Sequence, residues 1–117
     1  MTLKVIDISS HQSVEQAGMD GIDGVIVKAT QDVTYINPKC DPQYQLAKSK
    51  GRLLGVYHYA GGGDPVAEAD FFLKNIKGYI HEAVLALDWE AGQNASWGDS
   101  SWCRRFVDRV HEKTGVW

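Results

Sequence analysis

The sequence predicts an α/β fold, a parallel sheet assembled from about four βα units. Short apolar runs alternate with amphipathic ones along the chain, and the runs stop at glycine, proline or acidic residues. With 44% hydrophobic and 23% charged residues, the 117-residue chain has the composition of one domain with one core, spanning residues 1–117.

Residues 3–8 read as the first strand, with a short helical piece over 14–19 after it. Residues 24–29, rich in valine and isoleucine, predict a second strand buried on both faces. A long loop with Asn37-Pro38 leads to a helix over 42–50, where Pro42 suits the first turn and Gly51 the stop. The third strand is 53–59. It ends at Gly61-Gly62-Gly63, after which Asp64 reads as an N-cap and Pro65 as the first helical residue. Ala67, Phe71 and Phe72 recur at helical spacing, so 65–77 predicts an amphipathic helix. The fourth strand is 83–88, followed by a polar loop over 91–98 and a helix over 99–113 with Phe106, Val107 and Val110 as its apolar stripe. Gly115 reads as a helix C-cap and Val116-Trp117 as the approach to a fifth strand.

The formal charge of −3 argues against a nucleic-acid partner, which calls for a basic face. Lys48, Lys50 and Arg52, like Arg104, Arg105 and Arg109, read as solvated helix faces. No apolar run is long enough to span a membrane, and residues 1–10 lack the basic and long hydrophobic regions of a secretory signal. Cys40 and Cys103 have neither CxxC spacing nor a histidine cluster, so no metal is indicated; packed free thiols are expected, with a single disulfide left open.

Chemistry concentrates where the strands end. Asp88 and Glu90 sit two residues apart at the end of the fourth strand, so both side chains are expected to point the same way, separated by roughly 6 to 7 Å of strand rise. Like charges so close should raise at least one pKa, which is what a general acid needs. Asp7, at the end of the first strand, is expected to face the same mouth. Tyr57 and Tyr59 share a strand face and suit stacking on sugars, while His58 points to the other face, where a core role is the simpler reading. His11 reads as a loop-orienting residue, and Trp89 as packing away from the acids.

These residues also carry a resemblance. Ile6-Asp7-Ile8-Ser9-Ser10-His11-Gln12 resembles the opening motif of the family 25 lysozymes. Val27-Lys28-Ala29-Thr30 resembles their second strand, Asn37-Pro38 their next loop, Gly55-Val56-Tyr57-His58-Tyr59 their third strand, and Leu87-Asp88-Trp89-Glu90 their D-x-E signature. The resemblance implies the N-terminal part of a (β/α)-barrel of TIM type, here incomplete, because four βα units cannot close eight strands. It implies an N-acetylmuramidase that cuts the β-1,4 bond between N-acetylmuramic acid and N-acetylglucosamine in peptidoglycan. Glu90 would be the general acid, and Asp88 its electrostatic partner, orienting the substrate's 2-acetamido group. Asp7 would bias the pair, Tyr57, Tyr59 and Lys28 would contact substrate, and no cofactor or metal would be needed. Action on the bacterial cell wall after cytoplasmic synthesis is the matching expectation.

Gln31-Asp32 departs from the acidic or small residue and glycine usual after the second-strand motif, which puts the local loop or a substrate contact in question. The further strands of the family, with another acid, lie beyond the D-x-E strand. Alternative readings are a glycan-binding or complementation module, paired with a C-terminal complementary fragment or forming a homo-oligomer, and a chitinase-type hydrolase. A flavodoxin-like binding protein fits less well, since no glycine-rich loop follows the first strand.

Overall fold

The computed structural model describes residues 2–117. Parallel strands β1 (Val5–Ile8), β2 (Gly24–Gln31), β4 (Leu53–Tyr59) and β5 (Val84–Asp88) lie in the order β1-β2-β4-β5, and the two-residue β3 (Tyr35–Ile36) pairs antiparallel with β2. The sheet is open rather than a closed barrel. Sequential parallel strands need crossovers, supplied by a 3₁₀ turn (Val14–Gly18), α1 (Cys40–Ser49) and α2 (Pro65–Asn75); α3 (Ser100–Thr114) follows β5.

One face of the sheet makes the core. Val25, Val27 and Val56 are buried there, with Tyr44 and Ala47 of α1, Ala69 and Phe72 of α2, and Trp102 and Phe106 of α3. The opposite, inner face is only partly covered: Ile26 and Lys28 are half-buried and Val84 is 64% exposed. β2 is therefore buried on one face, not on both as its composition suggests. Its apolar inner residue Ile26 lines a cleft instead of packing under a helix.

The helix ends follow local chemistry. Asp64 accepts hydrogen bonds from Val66 N and Ala67 N, and Asp99 caps α3 through Ser101 N. Gly115 takes the left-handed conformation (φ 74°) that closes α3. The chain then turns back, so that Trp117 stacks on His111 at 3.7 Å and residues 116–117 form no strand. α1 begins at Cys40, two residues before the expected start, because Asn37 receives the Lys39 and Cys40 amides through its side-chain and main-chain oxygens. α2 ends at Asn75 and passes into a 3₁₀ turn, Lys77–Tyr79.

The buried stripe of α2 is Pro65, Glu68, Ala69, Phe72 and Leu73, rotated from the expected Ala67, Phe71 and Phe72. Ala67 is exposed and Phe71 half-buried. The rotation carries a carboxylate, Glu68, into the core. In α3 the stripe gains Trp102, and Val107 is its half-buried margin. Both cysteines are free thiols, and the basic side chains of α1 and α3 lie at the surface, Lys48 on Glu82 and Arg109 on Asp70. No helix among the described residues is long and apolar enough to cross a membrane.

β2 carries one irregularity. Lys28 pairs with Tyr57 of β4, yet Thr30 pairs with His58, so Ala29 is an extra residue, a β-bulge. The carbonyls at the bulge are satisfied by Asn37, whose Nδ2 donates to Lys28 O (2.8 Å) and whose backbone N donates to Ala29 O (2.9 Å).

Candidate active site

Strand register brings the inner-face residues into rows. Asp7 lies level with Ile26 and Gly55, Lys28 with Tyr57 and Ala86, and Tyr59 with Asp88. Because all four strands run the same way, their C-terminal ends share one edge, and a cleft of about 300 Å³ opens there, lined by Asp7, Ile26, Tyr57, Ala86, Asp88 and Glu90. The three acids expected to converge thus share one cleft with Tyr57.

Glu90 lies two residues beyond the last residue of β5 and is exposed, whereas Asp88 is half-buried. Both carboxyl groups line the cleft, and Glu90 acts on the titration of Asp88. The expected raised pKa falls on Asp88, pushed from 3.8 to about 7 by burial first, then by its hydrogen bond and charge repulsion with Glu90 and by the charge of Asp7; Lys28 opposes the rise. Tyr57 is also pushed up, by burial and then by Asp7, Asp88 and Glu90, and stays a neutral hydroxyl donor.

Lys28 is held beside the acids. Its Nζ donates to Gln31 Oε1 (2.6 Å) and lies 5.1 and 5.0 Å from the ring centres of Tyr35 and Tyr59. Burial lowers its pKa and the charges of Asp88 and Glu90 raise it, with burial ahead. Tyr59 donates its hydroxyl to Gly92 O (2.7 Å), tying β4 to the loop after Glu90. Gln31 Nε2 reaches Gln93 Oε1 of the same loop (2.8 Å). The Gln31-Asp32 departure therefore has a structural outcome: Gln31 supports Lys28 and bridges the mouth, and Asp32 adopts positive φ (54°) in the following turn.

His58 is in the core, as its strand parity implies. Its Nδ1 meets Thr30 Oγ1 at 2.7 Å, and its Nε2 meets Glu68 Oε1 at 2.8 Å. Trp89 points away from the acids and packs on Trp97 and Trp102. His11 is exposed, and its backbone N donates to Ser9 Oγ. Among the described residues no group of three or more His, Cys, Asp or Glu side chains could hold a metal ion.

The sequence does not single out Tyr35 and Asn94 near the site or Glu68 beneath the sheet, and it flags Gln31 only as a departure that bears on a loop or a substrate contact. Tyr35 sits on a strand too short to show periodicity, and Gln31 is aimed inward by the bulge. Glu68 did carry a signal: a carboxylate on the 65, 69, 72, 73 face of an amphipathic helix is buried and must be satisfied.

Comparison with known proteins adds three findings. The model of the Glycosyl hydrolases family 25 matches residues 6–117. The N,O-diacetylmuramidase of Chalaropsis sp is 35% identical over 132 residues, covering 97% of this chain and 63% of its own length; the autolytic lysozyme of Clostridium acetobutylicum is 35% identical over 115 residues, covering 95% and 36%. The structure of a family GH25 lysozyme from Aspergillus fumigatus superposes with a TM-score of 0.82 at 31% identity, covering 98% of this chain and 62% of that one. The chain thus spans between about a third and two thirds of the length of these relatives.

Proposed function

The chain belongs to the glycosyl hydrolases of family 25, and on that premise we propose that it contributes the acidic half of a peptidoglycan-cleaving site, a lysozyme of the N-acetylmuramidase type. The observation that carries the reading is the cleft in which Asp7, Asp88 and Glu90 meet at the C-terminal edge of a parallel sheet. Glu90, exposed at the mouth, is the general acid that protonates the leaving glycosidic oxygen. The raised pKa falls on Asp88, the partner of the acid, and keeps a protonated carboxyl in the cleft up to about pH 7.

In this reading the substrate's own 2-acetamido oxygen is the nucleophile, oriented by Asp88, with Asp7 adding negative potential against the oxocarbenium charge. Tyr57 offers its hydroxyl and Tyr59 its ring to the sugar, and Lys28 supplies a cation beside Tyr59. The scheme calls on no metal or cofactor.

The partner is a glycan strand of the bacterial cell wall. The open sheet is the first part of a (β/α)-barrel of TIM type, and the unpaired edge of β5 and its apolar inner neighbours are where a C-terminal complementary fragment or a second copy completes the mouth. The test is release of new reducing ends from peptidoglycan by the protein and by its Glu90→Gln variant. Removing the acid should cost on the order of 100-fold or more. Equal release by both, above an untreated control, would sink the assignment of Glu90, and release by neither would mean that the cleft needs its complement.

A further inference from the structure

We propose that Glu68, buried beneath the sheet and remote from the cleft, is a positioning residue that sets the acidic end of β5 through three glycine peptides. Its consequence for turnover rests on the hydrolase reading above; its geometry does not.

The Glu68 side chain is fully buried, and its two oxygens receive three donors. Oε1 accepts from His58 Nε2 (2.8 Å) and Gly61 N (2.9 Å), and Oε2 accepts from Gly63 N (2.9 Å). Because the Glu68 carboxylate can only accept, His58 Nε2 carries the proton that faces it, and Thr30 Oγ1 lies 2.7 Å from Nδ1. These bonds outweigh the burial that acts against the charge and hold the Glu68 pKa below its usual value.

The same glycine peptides face the other way with their carbonyls. Gly61 O accepts from Ala95 N (3.0 Å), Gly62 O from Ser96 Oγ (2.5 Å) and Gly63 O from Trp102 Nε1 (2.8 Å). Gly62 sits at φ +85°, and a Cβ there would collide with the Asn94 carboxamide and the amides of Ala95 and Ser96; a Cβ on Gly61 would strike the Asp32 side chain. The segment is therefore clamped between Glu68 and the loop that follows Glu90. Asn94, buried in that loop, donates from Nδ2 to Glu90 O (3.0 Å) and accepts Ser96 N (3.0 Å). An unbroken run of hydrogen bonds joins a core carboxylate to the backbone of the proposed acid.

An apolar residue would occupy position 68 at far lower desolvation cost, so the charge is retained for what it binds. Glutamine offers the same shape but only one acceptor oxygen, and its amide nitrogen would face a donor N–H at Gly61 or Gly63. Glu68→Gln thus tests the linkage without opening a cavity.

Two readouts by NMR on the folded protein separate positioning from general support. The first is amide exchange at Gly61, Gly63 and Ala95, expected to speed up about tenfold or more while Val25 and Val27 in β2 hold steady. The second is the titration midpoint of Asp88. Glu68 is not among the groups that set it, so its movement reports a change in the acidic end of β5, where burial and Glu90 raise it. Loosening Glu90 should bring the midpoint down from about 7. On peptidoglycan, kcat should fall with KM little changed. An Asp88 midpoint that stays put while Gly63 and Ala95 exchange faster overturns the proposal, as does uniform acceleration that includes Val27. A wild type with no glycan cleavage even when the complement is supplied would count against the hydrolase reading and leave both NMR results standing. If Glu68→Gln fails to fold, Ser96→Ala breaks the contact at Gly62 O alone, and an unmoved Asp88 midpoint there overturns the proposal too.

Discussion

Replacing Glu90 by glutamine should make the protein more stable above neutral pH. Asp88 titrates at about 7 in the fold and at 3.8 when unperturbed, so the folded state prefers its protonated form. The sign follows from linkage: relative to strongly acid solution, stability begins to drop as pH passes 3.8, and the loss is complete above about 7. The full interval corresponds to a ceiling of about 4 kcal/mol, and because the group opens onto solvent, screening leaves about 1–2 kcal/mol. Burial is the largest cause and survives the substitution, as does Asp7, whereas the hydrogen bond and repulsion from Glu90 do not. The gain on Glu90→Gln at pH 8 is then about 1 kcal/mol or less, or roughly 3 to 6 °C in Tm per kcal/mol for a chain of this size. The assay pairs thermal melts of both proteins at pH 3 and pH 8 with a carboxyl-carbon NMR titration of Asp88. Carboxylates such as Asp70 and Glu82, whose pKa values are lowered by Arg109 and Lys48, lose stabilisation in acid in both proteins and cancel in the difference. An Asp88 midpoint near 4 in the wild type, or one indifferent to Glu90→Gln, would refute the reasoning.

Lys28→Met removes the one charge that holds Asp88 down, so the Asp88 midpoint should move above 7, with the alkaline limb of any pH–activity profile following it. Asp64→Ala strips the α2 cap from Val66 N and Ala67 N and should cost about 1 kcal/mol by urea unfolding, with little effect on the Asp88 titration. Phe106→Ala empties a buried site packed against His58, Phe72 and Trp102 and should cost about 3–5 kcal/mol, visible as a large drop in the urea midpoint.

Much of this was legible because the information is local. Strand and helix order, the Asp64 cap and the Gly115 stop follow from residues within a few positions of each other. The convergence of Asp7, Asp88 and Glu90 follows from a parallel sheet alone, which gives every strand the same C-terminal edge. Side-chain alternation gave the opposing faces of Tyr57 and His58 for the same reason. What escaped depends on partners distant in sequence. The face of α2 was misjudged because burial of Glu68 depends on Gly61, Gly63 and His58 supplying donors, which helical spacing does not reveal. Val116-Trp117 reads as strand-like, but stacking on His111 takes Trp117 elsewhere. Gln31 was seen as a departure without a role, since its inward aim follows from an extra residue at Ala29.

That extra residue governs how β2 can change by mutation. Lys28 and Thr30 are two apart and would share a face in a regular strand, yet one reaches the cleft and the other the core. No single base change can exchange their surroundings, whereas in-frame loss of codon 29 would disturb both at once, setting a cation against buried His58 or a hydroxyl among the acids. The lineage of this strand can vary Lys28 or Thr30 one at a time, but it can alter the spacing between them only by rebuilding the cleft and the core together.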